Sequence, residues 1–244
     1  MNTISFIQAN LQHSIAASRI ITRTVSIKGI DMALIQEPWY RKDCIRGLNI
    51  PGYTLYCAGG TYRRRAFILA RNMNIWVLPG FSCKDLVAVL VKYVEDGAER
   101  RLLVRSAYLP YDSEDPPPSR ELEELVRYCQ NENLYLIVGC NSNVHHTAWG
   151  SNNCNDRGEA LVEFLNSSNL AILNQANEPT FCNGYRQEVN DIILWSFGLL
   201  ESITGWEVSL KPSLSDHRHM LFILWGSMPA PLIRNSTGTN WGSF

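Results

Sequence analysis

Polar side chains gather in this sequence where apolar, strand-like runs end. The clearest case is "LIVGCNSNVHHTAWG" (136–150), in which an apolar run gives way to Asn141, Asn143 and a histidine pair. Two amides and two imidazoles are poor tools for hydrolysis by themselves, because an amide carries no charge and accepts no proton. Acids must therefore come from elsewhere, and the other strand-like runs are bordered by Asn10, Glu37, Tyr108, Asp191 and the triplet Ser215, Asp216 and His217.

Each of these residues has a structural explanation when it is considered alone. Asn10 could cap the helix that follows it, and Glu37 could be an exposed acid at a strand end. Tyr108 could be a core residue with its hydroxyl at the rim, and Ser215 or Asp216 could end a loop. We find no carboxylate pair and no nucleophile–base pair of the kind that glycosidases or proteases need.

The composition is that of an ordinary globular protein, with 244 residues of which 45% are hydrophobic and 18% charged. This length fits one large domain. Seven scattered cysteines without a CxxC pair predict reduced thiols in an intracellular protein. His145 and His146 are better explained by loop packing or substrate contact than by metal binding, because no third ligand has a suitable spacing.

The two ends and the charge set further expectations. "MNTISFIQAN" has no basic leader and only a short apolar run, so we expect neither a signal peptide nor a membrane span. Residues 226–244 are rich in Pro, Gly, Ser and Thr and predict a flexible linker after a domain of residues 1–225. A net charge of −1 argues against a protein that coats nucleic acid, although Arg63, Arg64 and Arg65 form a dense local cluster.

The order of elements predicts an α/β sandwich. A strand "ISFIQA" is followed by a helix in which Ala17, Ile21 and Val25 recur every four residues and which Gly29 ends. Short β-rich runs then continue to Leu109, a helix that Ser119 can cap follows, and strands and one more helix complete the chain. Two series of strands with helices between them predict two packed, mostly antiparallel sheets with helices outside.

The order of the polar residues resembles the exonuclease–endonuclease–phosphatase superfamily. The order is Asn, Gln-Glu, Tyr, Gly-x-x-x-Asn, Asp and then Ser-Asp-His before the last strand, from about Ile4 to Trp225. The most specific pieces are "ALIQEP", "SDHRHMLF" and "NVHHTAWGS". The last of these is similar to "NAHHxxWGS" in the apurinic-endonuclease-like domains of non-LTR (LINE-type) retrotransposons, and among those the resemblance favours site-specific elements, including those that target telomeric repeats.

This resemblance implies a DNase-I-like, four-layer sandwich and hydrolysis of one DNA phosphodiester. The product would be a 3′ hydroxyl for target-primed reverse transcription by a reverse transcriptase domain C-terminal to this one. The substrate would be double-stranded DNA in the nucleus. A phosphodiester is anionic and repels nucleophiles, so a divalent cation, Mg²⁺ with Mn²⁺ as a substitute, is implied to neutralise the developing charge.

The resemblance also implies roles for the individual residues. Glu37 is the expected main metal ligand, with Asn10 beside it and Asp216 near the metal or a second metal position. Tyr108 and Asn143 would hold the phosphate by hydrogen bonds.

The remaining implied roles concern the proton and the DNA. His217, held in one tautomer by Asp191, would act on the attacking water or on the phosphoryl oxygens. The expected DNA contacts are Arg63, Arg64, Arg65, His145, His146, Trp149, Thr180 and Phe181.

The chain departs from the family pattern Gly-Asp-x-Asn at the loop after Gly139. Cys140 replaces the usual Gly, and Asn141 replaces the Asp that is held to orient or deprotonate the attacking water. Gln12 stands where repair relatives often carry an acid, and Asn190 replaces an aliphatic residue, for which we have no physical account. Loss of a positioned base is expected to cost about a hundred- to ten-thousand-fold in rate.

Three functions therefore stay open at this point. The first is a nuclease that cleaves DNA, weakly if His217 takes over part of the work of the missing acid. The second is a DNA-binding targeting module without useful catalysis. The third is a superfamily phosphatase that acts on small molecules or lipids. The retrotransposon-like "HHTAWGS" counts against the phosphatase.

Overall fold

The computed structural model describes residues 3–60, 63–71, 73–174 and 178–227. Within these ranges the strands, in chain order, are β1 Thr3–Asn10, β2 Met32–Gln36, β3 Tyr40–Arg41, β4 Cys44–Ile45, β5 Tyr53–Tyr56, β6 Ala66–Arg71, β7 Ile75–Val77, β8 Leu86–Glu95, β9 Ala98–Tyr108, β10 Tyr135–Asn141, β11 Leu170–Ile172, β12 Phe181–Cys182, β13 Gln187–Glu188, β14 Asp191–Ser196, β15 Ile203–Val208 and β16 Met220–Trp225. The α-helices are α1 Ile15–Lys28, α2 Arg120–Asn131 and α3 Asp156–Ser167.

Two six-stranded sheets share one pattern of pairing. The first has the order β15-β16-β1-β2-β6-β5, and the second has the order β11-β14-β10-β9-β8-β7. In each sheet a single parallel pair, β1 with β2 or β9 with β10, lies between antiparallel neighbours. Two small hairpins, β3–β4 and β12–β13, lie outside the sheets.

The buried residues divide into three clusters, which define four layers. One cluster lies between the sheets and contains Phe6 and Leu34 from the first sheet with Val104 and Ile137 from the second. A second cluster joins the first sheet to α1, and a third joins the second sheet to α2 and α3. This arrangement confirms the predicted sandwich of two sheets flanked by helices.

The first helix follows the predicted pattern. Ala17, Ile21 and Val25 are buried, and Gly29 ends the helix in the left-handed conformation at φ 64°. Ser14 is the N-cap, and its hydroxyl accepts a hydrogen bond from the backbone N–H of Ala17 at 3.2 Å. Asn10 is therefore not the cap of this helix and can serve the site. Ser119 occupies the N-cap position of α2 but makes no capping bond with its side chain, so that part of the prediction was wrong.

The two sheets are tied together close to the edge where the polar residues gather. Gln36 of β2 donates from Nε2 to the hydroxyl of Ser106 in β9 at 2.9 Å, and that hydroxyl donates to the carbonyl of Ile35 at 3.1 Å. Gly139 in β10 lets the sheets approach closely, since a Cβ there would lie 2.5 Å from Leu34 Cδ1. These contacts fix the strand ends of one sheet relative to those of the other.

The predicted boundary at residue 225 falls slightly early. Ser227 exchanges backbone hydrogen bonds with Val94 at 2.7 and 2.8 Å, so the folded part of the chain extends at least to residue 227. The rest of the predicted linker lies outside the described residues. None of the described helices is long and apolar enough to cross a membrane.

Candidate active site

The strand register brings the predicted polar residues to one edge of the sandwich. Asn10 pairs with Gln36 at the carboxyl ends of the parallel strands β1 and β2, which places Glu37 beside Asn10. In the second sheet Asn141 lies between Tyr108 of parallel β9 and Asp191 of antiparallel β14. Because side chains at strand ends stand on a rigid scaffold, the site needs little rearrangement to form.

Glu37 is held by contacts on both of its oxygens. Asn10 donates from Nδ2 to Oε2 at 3.1 Å, and its own Oδ1 accepts the backbone N–H of Gln12 at 2.8 Å. That backbone donor fixes the orientation of the amide. Asn10 therefore turns its nitrogen toward Glu37 and orients it, which does not support the predicted ligation of a metal by Asn10.

The second oxygen of Glu37 faces His13, a residue that the sequence reasoning missed. His13 Nε2 lies 3.4 Å from Glu37 Oε1, and Nδ1 lies 3.2 Å from the carbonyl oxygen of Pro38. Burial raises the pKa of Glu37. Hydrogen bonds from His13 and Asn10, with the charges of His13 and His217, lower the pKa by more than burial raises it, so the net shift is downward. Glu37 is thus an ionised carboxylate at neutral pH.

Asp216 is fixed by Gln12 rather than by a charged group. Gln12 donates from Nε2 to Asp216 Oδ2 at 3.1 Å and accepts the backbone N–H of Asp216 at its Oε1, also at 3.1 Å. This two-bond contact ties the loop after β1 to the loop before β16. The carboxylate of Asp216 thereby reaches the same edge as Glu37.

A continuous chain of hydrogen bonds connects the other four residues. His217 Nδ1 donates to Asp191 Oδ2 at 2.7 Å, and Asn141 donates from Nδ2 to Asp191 Oδ1 at 2.9 Å. Asn143 donates from its own Nδ2 to Asn141 Oδ1 at 2.7 Å and to the carbonyl of Leu109 at 2.9 Å. Both N–H bonds of Asn143 are engaged, so the predicted donation to phosphate requires one of them to open.

His217 is buried, yet its environment favours the charged form. Burial lowers the pKa of His217, but the charge and hydrogen bond of Asp191, with the charges of Glu37 and Asp216, outweigh burial and raise the pKa above its ordinary value. Nδ1 is committed to Asp191, so Nε2 is the atom that can reach a substrate. The arrangement provides a positioned hydrogen-bond donor at the edge of the site, and its charged form is stabilised by Asp191.

Tyr108 is positioned by an ion pair that lies beneath it. The guanidinium of Arg65 lies 4.4 Å from the centre of the Tyr108 ring and binds Asp85 through two contacts, at 2.5 and 2.7 Å. Burial, assisted by the charge of Glu37, raises the pKa of Tyr108 to about 12, so the phenol stays protonated and can donate. The predicted DNA contact by Arg65 is therefore replaced by a positioning role.

The fold and the sequence both have counterparts among known proteins. The endonuclease-reverse transcriptase family matches residues 102–221. The endonuclease domain of TRAS1, a telomere-specific non-LTR retrotransposon, is similar at 25% identity, with 91% of this chain and 98% of that chain covered and a TM-score of 0.74. Together these similarities support an apurinic-endonuclease-like retrotransposon endonuclease of the exonuclease–endonuclease–phosphatase superfamily.

Two further solved structures share the fold at lower identity. The catalytic domain of Xenopus laevis APE2 is 13% identical, with 92% of this chain and 93% of that chain covered and a TM-score of 0.66. The AP endonuclease LMAP from Leishmania major is 12% identical, with 93% and 89% covered and a TM-score of 0.71. No curated protein sequence matches this endonuclease significantly.

The loop "HHTAWG" of the endonuclease is an internally braced element. Trp149 is 1% exposed, so the prediction that it contacts DNA was wrong: its indole fills the space under the loop. Asn155 Oδ1 accepts the backbone N–H groups of His145 at 3.3 Å and Gly158 at 2.8 Å. A Cβ on Gly158 would lie 2.0 Å from the carbonyl oxygen of His145, so glycine is needed where α3 meets the loop. His145 itself is half-buried, 3.7 Å from Glu188.

Among the described residues, one group of side chains has ligand atoms close enough together to hold a metal ion, and it consists of His146, Cys154 and Glu159. The Nδ1 atom of His146, however, accepts the backbone N–H of Ala148 at 2.9 Å. The neutral ring must then carry its proton on Nε2, which faces Glu159 at 3.5 Å. This geometry favours a proton over a metal ion on Nε2, although Cys154 and Glu159 supply the further ligands that the spacing in the sequence does not predict.

Thr180 and Phe181 also act from within the protein. Thr180 is fully buried, and its hydroxyl accepts the backbone N–H groups of Asn190 at 3.1 Å and Asp191 at 2.9 Å, so the predicted DNA contact was wrong for this side chain. Phe181 is 7% exposed and packs edge-on against His217, with ring centres 4.9 Å apart. Both residues hold the His217–Asp191 pair in place.

The two other predicted arginines lie near the surface. Arg63 is exposed and pairs with Asp43 at 2.9 Å, with its guanidinium 5.7 Å from the ring of Tyr40. Arg64 is half-buried and contacts the carbonyl of Gly60, while its backbone N–H donates to the Tyr40 hydroxyl at 3.0 Å. Of the predicted arginine cluster, Arg63 is the side chain best exposed to meet a phosphate.

A basic groove beside the site escaped the sequence reasoning. It encloses about 690 Å³ between the start of α1 and the β3–β4 hairpin, directly after Glu37, and its lining includes Trp39 with Arg19, Arg41, Lys42 and Arg46. These four cations come from two separate stretches of the sequence, so no run of charge reveals them. Their convergence creates a positive surface whose lining includes Trp39, two residues after Glu37.

Proposed function

We propose that this endonuclease nicks one strand of double-stranded DNA with the help of a divalent metal ion. The cut would leave a 3′ hydroxyl that a linked reverse transcriptase uses as a primer on chromosomal DNA in the nucleus. The observation that carries the proposal is the gathering of Glu37, Asp216 and the His217–Asp191 pair at one sheet edge, next to the basic groove. The name of the matching family supports the linked reverse transcriptase.

The donor set at this edge suits a divalent cation. Glu37 has a depressed pKa and is ionised, and Asp216 brings a second carboxylate, which the amide of Gln12 holds in place. Carboxylate oxygens are the ligands that hard divalent cations prefer. When bound, the ion would neutralise charge that develops on the phosphate. Glu37 and Asp216 are the residues that would hold it.

The remaining groups bind and orient the scissile phosphate. His217, fixed by Asp191, would donate from Nε2 to a phosphoryl oxygen, and the ring is held in place because it is only 6% exposed. Tyr108, held by Arg65, would donate its phenolic hydrogen to a second oxygen. Asn141 cannot accept a proton, so the attacking water lacks the base that the family pattern supplies there.

The basic groove and the hairpin β12–β13 would bind DNA on either side of the cut. Phosphates would follow the cations that line the groove, because the groove carries an excess of positive charge. Tyr185 is 99% exposed at the tip of the hairpin, and the hairpin is joined to the site where Phe181 packs on His217. An aromatic ring at that position can stack on a base.

Selectivity for telomeric repeats is a further part of the proposal. It is supported by the similarity to the endonuclease domain of TRAS1, which is described as telomere-specific. Cleavage of a duplex with telomeric repeats should exceed cleavage of a duplex with the same composition in scrambled order. Equal rates on the two duplexes would contradict the proposed selectivity but not the proposed nuclease activity.

The direct test is nicking of supercoiled plasmid. The chain and its Asn141→Asp form are incubated with Mg²⁺ or Mn²⁺, with and without chelator, beside Glu37→Gln as the inactive control. Metal-dependent relaxed circles are expected, more of them with Asn141→Asp. Tight DNA binding without nicking, even after Asn141→Asp, would instead support a targeting module, the second function that Asn141 favours.

A further inference from the structure

His13 is attached to the Glu37 turn at three points. Its backbone N–H donates to the carbonyl of Glu37 at 2.8 Å, Nδ1 lies 3.2 Å from the carbonyl oxygen of Pro38, and Nε2 lies 3.4 Å from Glu37 Oε1. The residue has a φ of 52°, a left-handed conformation that is costly for a residue with a Cβ. Glu37 itself has a φ of 47°, so two strained residues face each other across this contact.

The contacts fix which nitrogen of His13 carries hydrogen. A carbonyl oxygen can only accept, so Nδ1 must donate to Pro38. In the neutral ring, Nε2 then has a lone pair that faces the ionised carboxylate of Glu37. Two acceptors repel each other at this distance unless a cation lies between them. Either a proton or a metal ion must therefore join these two atoms.

The separation of the two atoms fits a shared metal ion. Two donors that each lie about 2.1 Å from one ion are roughly 3.0 to 3.5 Å apart when the angle at the ion is near 90 to 110 degrees. A ligating histidine usually donates its other N–H to a carbonyl or carboxylate, which is what Nδ1 does toward Pro38. Asn10 bonds the opposite oxygen of Glu37 at 3.1 Å and leaves Oε1 for the ion.

Gln12, which precedes His13, is not available as a ligand at this site, so the imidazole of His13 does not compete with it. Gln12, at the position where repair relatives often carry an acid, is committed to two hydrogen bonds with Asp216. The side chain of His13 is 56% exposed, so an ion and its remaining waters can approach Nε2. Carboxylate oxygens suit both Mg²⁺ and Mn²⁺, but Mn²⁺, as a transition-metal ion, accepts an imidazole nitrogen more readily than Mg²⁺ does.

We propose that His13 Nε2 and Glu37 Oε1 bind the divalent ion together, and that this imidazole makes the site select Mn²⁺ over Mg²⁺. The inference rests on the proposed metal-dependent function and names a ligand that the family pattern does not include. His13 would then be a metal ligand of this chain and a determinant of which ion it uses.

The test measures metal binding without any activity assay. Mn²⁺ is titrated into the protein and into His13→Asn, His13→Asp and the control His145→Asn, with free Mn²⁺ followed by electron paramagnetic resonance. Pulsed spectra of bound Mn²⁺ report directly whether a nitrogen is coordinated. Circular dichroism confirms that each variant is folded.

The expected result is nitrogen coupling in the parent and in His145→Asn, and its loss in both His13 variants. His13→Asn should weaken Mn²⁺ binding about ten- to a hundredfold, while His13→Asp should shift the preference toward Mg²⁺. Bound Mn²⁺ without nitrogen coupling, or coupling that persists in His13→Asn, would overturn the role of His13 and leave the proposed nuclease intact. Absence of any Mn²⁺ binding would overturn both.

Discussion

Replacement of Asn141 by Asp tests the central departure of this chain from its family. In the parent, Asn141 Nδ2 lies 2.9 Å from Asp191 Oδ1. An aspartate in the same place would bring two carboxylates to that distance, and two ionised groups there repel by about 6 kcal/mol at an effective dielectric constant of about 20. That repulsion corresponds to about four pKa units before the interaction of Asp191 with His217 offsets part of it, so the pair is expected to share one proton at low pH and to release it as pH rises.

The expected outcome of Asn141→Asp is thus a pH-dependent gain. Once the pair has released its shared proton, a base is in place, and nicking should exceed that of the parent by about a hundred- to ten-thousand-fold, rising with pH. Stability should change in the opposite direction. The shared carboxyl has a higher pKa in the folded than in the unfolded state, so its contribution is present at low pH and is lost as pH rises through the folded pKa.

The assay is plasmid nicking at fixed Mg²⁺ or Mn²⁺ across the neutral and alkaline range, with urea unfolding at the same pH values. Asn166→Asp, which adds the same charge on the exposed side of α3, is the matched control. Equal rates for the parent and Asn141→Asp at every pH would refute the assignment of residue 141 as the position of the base. A gain without any pH dependence would refute the shared proton.

Three further changes probe the metal, the DNA and the loop. Glu37→Gln should lower nicking at least about a hundredfold with DNA affinity retained, which nicking and fluorescence anisotropy measure; undiminished nicking would exclude Glu37 as a metal ligand. Arg41→Ala should reduce the slope of log binding constant against log salt concentration by about 0.9 unit for each phosphate that the side chain neutralises, whereas the control Arg127→Ala on α2 should leave the slope unchanged. Equal slopes for the two variants would exclude the groove as a DNA-binding surface. Gly158→Ala should destabilise the fold by about 1 to 3 kcal/mol in urea, because the carbonyl of His145 cannot move aside, and unchanged stability would contradict that packing.

Much of the scaffold could be predicted because its signals are local. The four-residue recurrence of Ala17, Ile21 and Val25 and the stop at Gly29 depend only on the helical period and on a left-handed cap. Polar residues at strand ends were also visible, since a sharp change from apolar to polar composition marks the rim of a sheet. The register then brought them together, as with Asn141 between Tyr108 and Asp191.

The misassigned residues depend on contacts between distant parts of the chain. Trp149 and Thr180 lie in polar stretches that are typical of surface loops, yet α3 and β14 cover them in the folded protein. Arg65 belongs to a cluster that the sequence predicts to be exposed, but Asp85, twenty residues further on, accepts hydrogen bonds from two nitrogens of its guanidinium. His13 is hidden from pattern reasoning because only a left-handed backbone turns it toward Glu37.

Gln12 and Asn141, two amides where the resemblance implies acids, act in the same way. Gln12 donates to Asp216 at 3.1 Å, and Asn141 donates to Asp191 at 2.9 Å, so each amide hydrogen-bonds an acid that remains. Acids at both positions would face those carboxylates with like charge, and a bound cation would have to offset the repulsion. With amides, Asp216 and Asp191 are each hydrogen-bonded without a cation. This chain therefore carries less of the negative charge that attracts a metal ion, which increases the importance of any neutral donor beside Glu37, and His13 is the one that the fold places there.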